Sequence, residues 1–242
     1  MKLFQCPRDS LEIKQLLGKM DLVTLLVHPL VDEQLLDEVC SCAKTYGFRS
    51  VCAQPIHIGR VVSRLKDSDV RTVYCIGESS GYGDPLASIL AGMEEAFKEG
   101  ASEAVIPMNL SKVLDGDMDG ARDELREMLL LSKNYGAEFT LALDAHVLSD
   151  SEVLKVVALA IEAGVEHVKT SAGIAPDDGR ATFHHMSLIT DSYKDRIGIK
   201  AGGGTRYSFL EDSQALLDCG AETVDAGEMV ISQLEEISYK EV

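Results

Sequence analysis

Two lysines stand where a buried strand would be expected to carry a branched apolar residue. In HVKTSAGIAPDDGR (167–180) a short strand-like run reaches Lys169 and then breaks into Thr170, Ser171, Ala172 and Gly173. In IGIKAGGGTR (197–206) Lys200 follows Ile197-Gly198-Ile199 and leads into three glycines. Two ammonium groups held close together in a partly apolar setting cannot both stay charged cheaply, so one loses its proton near neutral pH and becomes a nucleophile. An amine of that kind attacks carbonyls, and the iminium it forms is an electron sink. The competing reading is that each lysine runs along a strand end and reaches water. The repetition of the pattern on two successive strands favours the chemical reading.

The elements that must position these lysines alternate regularly. Strand-like runs are expected at 22–28, 50–54, 71–77, 103–109, 138–144, 166–171, 196–201 and 222–226. Helical spacing of apolar residues lies between them, most clearly at 32–47 and 119–136, each ending in Tyr-Gly. Gly-Ala recurs just before strands, at 100–101, 136–137 and 220–221. Eight strands with helical crossovers in 242 residues predict an α/β chain folded as a single (β/α)8 TIM barrel over 1–242. Residues 8–18 are expected to add a helix over the barrel floor. A doubly wound open sheet needs a glycine-rich loop after its first strand. LLVHPLVDE stands there instead. In a barrel, Lys169 and Lys200 fall near the C-terminal ends of strands six and seven, about 4.8 Å apart across the sheet.

Composition narrows the partners. The net charge is −17, spread along the chain, which disfavours nucleic acid and anionic membranes. No apolar run approaches a membrane span, and the start MKLFQCPRDS lacks the apolar core of a signal peptide, so a cytoplasmic protein is expected. Six cysteines, at 6, 40, 42, 52, 75 and 219, read as reduced thiols. Neither they nor the histidine pair at 184–185 has metal-site spacing, so no metal and no cofactor is expected.

HVKTSAG is similar to the F-I-K-T-S-T-G motif of the deoxyribose-phosphate aldolases, and GIKAGGGTR resembles their K-P-A-G-G-V-R. MDLVTLL (20–26), AKTYGFRSVCAQP (43–55) and EGASEAVIPMN (99–109) extend the resemblance over roughly residues 20–235. It implies a class I aldolase with Lys169 as the Schiff-base lysine and Lys200 depressing its pKa. It also places Asp21 and Thr24 in the first-strand motif, Cys52 and Asn109 beside the substrate, and Thr170, Ser171 and Gly173 in the strand-six loop. Gly203, Gly204 and Arg206 match an anion-binding loop, and Gly227 and Glu228 fall in the phosphate-binding segment of strand eight. For Asp21, a cap before strand one is an equal alternative, and Cys52 reads more readily as a packed small residue than as a nucleophile.

Four departures fall at functional positions of that family. Its catalytic aspartate aligns with Val105, a strand-five lysine with Thr140, and a glutamate with Asp144. Its G-T-S-S segment aligns with Asp225-Ala226-Gly227-Glu228, so hydroxyls give way to carboxylates that oppose a phosphate, unless Glu228 is only a helix-start acid facing away. Proton transfer is then expected to fall to water, Lys200, Asp21 or Asp144. The expected function is retro-aldol cleavage of a small carbonyl compound or sugar, by default 2-deoxyribose 5-phosphate giving acetaldehyde and glyceraldehyde 3-phosphate. A homo-oligomer is expected. The alternative is a barrel that keeps the lysines as a binding or regulatory protein without turnover.

Overall fold

A computed structural model describes residues 11–27, 30–76, 84–172, 183–193, 195–202 and 210–240. Eight parallel strands close into a barrel in sequence order. They are β1 (Met20–Leu22), β2 (Ser50–Ala53), β3 (Arg71–Cys75), β4 (Glu103–Pro107), β5 (Glu138–Ala142), β6 (His167–Lys169), β7 (Gly198–Ala201) and β8 (Thr223–Ala226). The helices are α1 (Leu11–Leu17), α2 (Thr24–Val27), α3 (Glu33–Tyr46), α4 (Ile58–Leu65), α5 (Leu86–Glu99), α6 (Leu110–Leu114), α7 (Met118–Asn134), α8 (Asp150–Ala163), α9 (Phe183–Tyr193), α10 (Leu210–Asp218) and α11 (Glu228–Lys240). The expected TIM barrel is the fold observed. No described helix is long and apolar enough to cross a membrane.

Local chemistry sets the boundaries. Asp32 opens α3 by accepting a hydrogen bond from Leu35 N at 2.8 Å, and Gly47 closes it at φ 75, where a side chain would be strained. Ser149 and Glu152 form a reciprocal cap at the start of α8. The first strand differs from expectation. It ends at Leu22, and Thr24–Val27 turns into a single helical turn. Val23 N donates to Ala226 O at 2.9 Å, so this turn begins at the seam where β8 meets β1.

Apolar side chains form two separate clusters. The larger fills the space between sheet and helices. The smaller lies inside the barrel and contains Val23, Leu26, Cys52, Val73, Cys75, Val105, Ala142 and Ala172. The strand register resolves that interior into layers contributed by alternate strands. From the N-terminal end upward they are Ser50, Glu103, His167 and Thr223; then Asp21, Val73, Thr140 and Lys200; then Cys52, Val105, Lys169 and Asp225; and finally Val23, Cys75, Ala142 and Gly202. The lower two are polar and charged apart from Val73, and the top is apolar.

Candidate active site

Lys169 and Lys200 are register partners on β6 and β7, as neighbouring strand-end lysines were expected to be. Both are buried, at 1% and 2% exposure. Their ammonium groups go to different partners. Lys169 Nζ lies 2.6 Å from Asp225 Oδ1, in its own layer. Lys200 belongs one layer lower, and its Nζ turns to the floor, 2.5 Å from Glu103 and 2.7 Å from Glu138.

The floor is a closed ionic network. Arg49 reaches Asp21 at 2.5 Å and Glu103 at 2.7 Å, and Arg71 reaches Glu138 at 2.9 Å. Three cations (Arg49, Arg71, Lys200) thus face three carboxylates (Asp21, Glu103, Glu138). Burial alone would raise the Glu103 carboxyl, but Lys200 and Arg49 outweigh it and bring it down to about 2. Lys200 is thus paired at the floor and directed away from Lys169. For Lys169 burial favours the neutral amine, yet the Asp225 carboxylate prevails and the net shift is upward. The structure pairs Lys169 with Asp225 and Lys200 with the floor, so the two expected partners do not meet at their ammonium groups.

Asp21 is bound at the floor as well. Besides Arg49 it accepts from Ser50 Oγ at 2.6 Å and Thr223 Oγ1 at 3.1 Å, so it ties three strands at the floor rather than meeting a substrate hydroxyl. Asn109 caps α6, accepting from Lys112 N and donating to Glu124 at 3.1 Å, which commits it to the helix. Thr170 Oγ1 and the Gly202 backbone bond reciprocally at 2.9 and 3.0 Å, clamping the ends of β6 and β7. Ser171 Oγ and Ala172 N both donate to Asp144 Oδ1, at 3.0 and 2.9 Å. Asp144 holds a left-handed backbone at φ 46, uncommon for a non-glycine residue, and its Oδ2 is buried with no hydrogen-bond partner among the described residues.

Cys52 lines the Lys169 layer, where a hydrogen bond with Cys75 and then burial push its thiol well above the ordinary range; it packs and does not attack. The Thr24 hydroxyl is buried at the first position of α2, without a hydrogen-bond partner among the described residues. Gly227 is buried beneath the start of α11, and Glu228 is exposed at its first position. Gly173, Gly203, Gly204 and Arg206 lie outside the described residues. Among the described residues no group of three or more His, Cys, Asp or Glu is placed to hold a metal ion.

No protein-family model matches the sequence. A deoxyribose-phosphate aldolase of Thermoanaerobacter sp. (strain X514) is 33% identical over 202 residues, 83% of this chain and 88% of that protein. The chain belongs to the deoxyribose-phosphate aldolase family. A second relative, a deoxyribose-phosphate aldolase of Staphylococcus carnosus (strain TM300), is 33% identical over 212 residues, 87% of this chain and 93% of its own length. Among solved structures, an aldolase named QR15 superposes with a TM-score of 0.82 at 26% identity, covering 96% of this chain and 98% of the other. The tetrameric deoxyribose phosphate aldolase of Aeropyrum pernix shares the fold, with a TM-score of 0.80 at 23% identity over 95% and 93% of the two chains. As a member of the family, the protein is an aldolase-type lyase.

Sequence reasoning did not assign Asp225 or Gly202. Asp225 was visible only as an acid where the family's G-T-S-S begins. The signal that singles it out is the layer rule, because positions 105 and 225 belong to one layer and the carboxylate missing from the first is present at the second. Gly202 faces the pair from the layer above. A Cβ there would lie 2.4 Å from Lys169 Cε, 2.3 Å from Ser171 O and 3.0 Å from Asp225 Oδ2. Only a glycine lets β7 end this close to the lysine.

Proposed function

We propose that the protein is a class I aldolase whose nucleophile is Lys169. The observation that carries this reading is the setting of that one side chain. It is buried near the C-terminal end of a barrel strand, where barrel enzymes do their chemistry, beneath an apolar cap of Val23, Leu26, Cys75, Ala142 and Ala172. In such a place the ammonium is attached to a reacting lysine rather than exposed for solubility. The amine adds to a carbonyl carbon, the carbinolamine loses water, and the resulting iminium withdraws electrons from the donor α carbon. A base takes the proton of the β-hydroxyl, its oxygen becomes the carbonyl of a departing aldehyde, and the electrons of the broken bond between the α and β carbons stay on the lysine as an enamine. Protonation of the enamine and hydrolysis of the iminium free the second product.

The default substrate is 2-deoxyribose 5-phosphate, cleaved to acetaldehyde and glyceraldehyde 3-phosphate. Carboxylates in place of the family's hydroxyls around strand eight argue for assaying the unphosphorylated sugar beside it. The reading is tested by sodium borohydride reduction in the presence of acetaldehyde or either sugar, followed by peptide mapping. The mass increment is expected on Lys169, with cleavage and increment both abolished in Lys169→Met. Label on another lysine, or on none, rejects the assignment.

A further inference from the structure

We propose that Asp225 is the acid–base partner of Lys169, occupying from β8 the layer position that in related aldolases is served from β4. This rests on the Schiff-base reading above and deepens it. Asp225 touches the reacting nitrogen, 2.6 Å from Lys169 Nζ, and is itself 2% exposed. Other titratable groups around Lys169 serve less well. Cys52 on β2 and Cys75 on β3 are buried thiols, with Cys52 held strongly in its protonated form. Asp21 on β1 is bound to Arg49, Ser50 and Thr223, and Lys200 on β7 to Glu103 and Glu138. Asp144, beyond β5, holds Ser171 and Ala172 with one oxygen. Val105 contributes no proton at all.

The step balances within the pair. The Lys169 ammonium passes a proton to the Asp225 carboxylate, giving amine and carboxylic acid. The amine nitrogen bonds to the carbonyl carbon, whose oxygen takes up the proton released from nitrogen, and a neutral carbinolamine forms. The Asp225 carboxylic acid then gives its proton to the carbinolamine hydroxyl, the C–O bond breaks, and water leaves. The product is a cationic iminium beside a carboxylate, so the charges that began as ammonium and carboxylate end in nearly the same places. An ion pair that is restored at the iminium suits a buried site, because the net charge of the layer never changes. The same carboxyl group runs the sequence backwards during hydrolysis.

The experiment measures the rate of borohydride trapping with acetaldehyde in the full-length protein across pH 5–9, beside Asp225→Asn, Asp225→Ala and Asp225→Glu. Loss of an acid–base group costs about 100-fold or more, so trapping in Asp225→Asn is expected to slow by at least that factor. In Asp225→Ala, added formate, which fits the vacated volume and supplies the carboxyl group, is expected to restore part of the rate. That rescue is a response a merely structural aspartate would not give. If the asparagine and alanine variants fail to fold, Asp225→Glu carries the test, with trapping retained at an altered rate and pH profile. Wild-type trapping rates in Asp225→Asn, a formate-insensitive Asp225→Ala, or a folded Asp225→Glu whose trapping is abolished overturn the proposal. Absence of trapping at Lys169 in the wild-type protein instead overturns the Schiff-base reading itself.

Discussion

Lys169 and Lys200 share a register position, a side chain and a glycine-rich sequel, and still have opposite surroundings. A four-carbon stem lets a strand lysine present its charge one layer up or down, so a motif fixes the Cα and leaves the ammonium undetermined. What settled the direction of Lys200 was Glu103 and Glu138, two carboxylates on two other strands. The sequence therefore located both lysines and could not tell which one was bound to the floor. Lys200→Met leaves Glu103 and Glu138 short of a cation in a buried network, and removing one partner of such a pair costs about 3–5 kcal/mol. The expected outcome is a loss of unfolding free energy of that size, read from urea denaturation by circular dichroism. A variant as stable as wild type removes the floor role.

At the scale of elements, seven of the eight strands were legible from β-branched runs bounded by glycine, and the helices from apolar spacing. The first strand was not. Leu22–Val27 is apolar except for Thr24, and such runs fit a buried strand or a buried helical turn equally well until a partner is known. Here Val23 N still bonds to the end of β8, while Val23 O accepts from Leu26 N and turns the chain into α2. The ends of β6 and β7 show how tightly neighbouring elements constrain one another. Thr170 clamps the backbone of Gly202, and Gly202 leaves the space that Lys169 and Asp225 occupy. Gly202→Ala places a methyl against the Ser171 carbonyl, which cannot move without breaking that clamp. Overpacking costs about 1–3 kcal/mol, and we expect a drop in aldehyde trapping at Lys169 larger than the drop in stability. Paired trapping and denaturation measurements on the variant separate the two. Equal losses would show a purely structural glycine.

For the whole molecule, the floor network links stability to acidity. Glu103 is held at about 2 against a reference of 4.5, and Glu138 is lowered as well. A depressed carboxyl contributes its stability in full above the unfolded value, and loses it as pH falls from 4.5 through about 2. At roughly 1.4 kcal/mol per pKa unit, Glu103 alone accounts for a loss on the order of 3 kcal/mol across that window. Urea denaturation at pH 7, 4 and 3 is expected to show stability falling in that window, with a shallower fall in Glu103→Gln, whose starting stability is lower. A pH response unchanged by Glu103→Gln would place the acid sensitivity elsewhere. The same interlocked charges also govern traffic. Among the described residues Ser50, Asp21, Glu103, Thr140, Lys200 and Thr223 are all buried and fill the barrel beneath Lys169. A substrate of Lys169 is then expected to arrive, and both fragments to leave, from the C-terminal side, where barrel enzymes bind their substrates. On a shared route the fragment not bonded to the lysine is expected to depart before water reaches the iminium, so product release is expected to be ordered, with the covalently held fragment last.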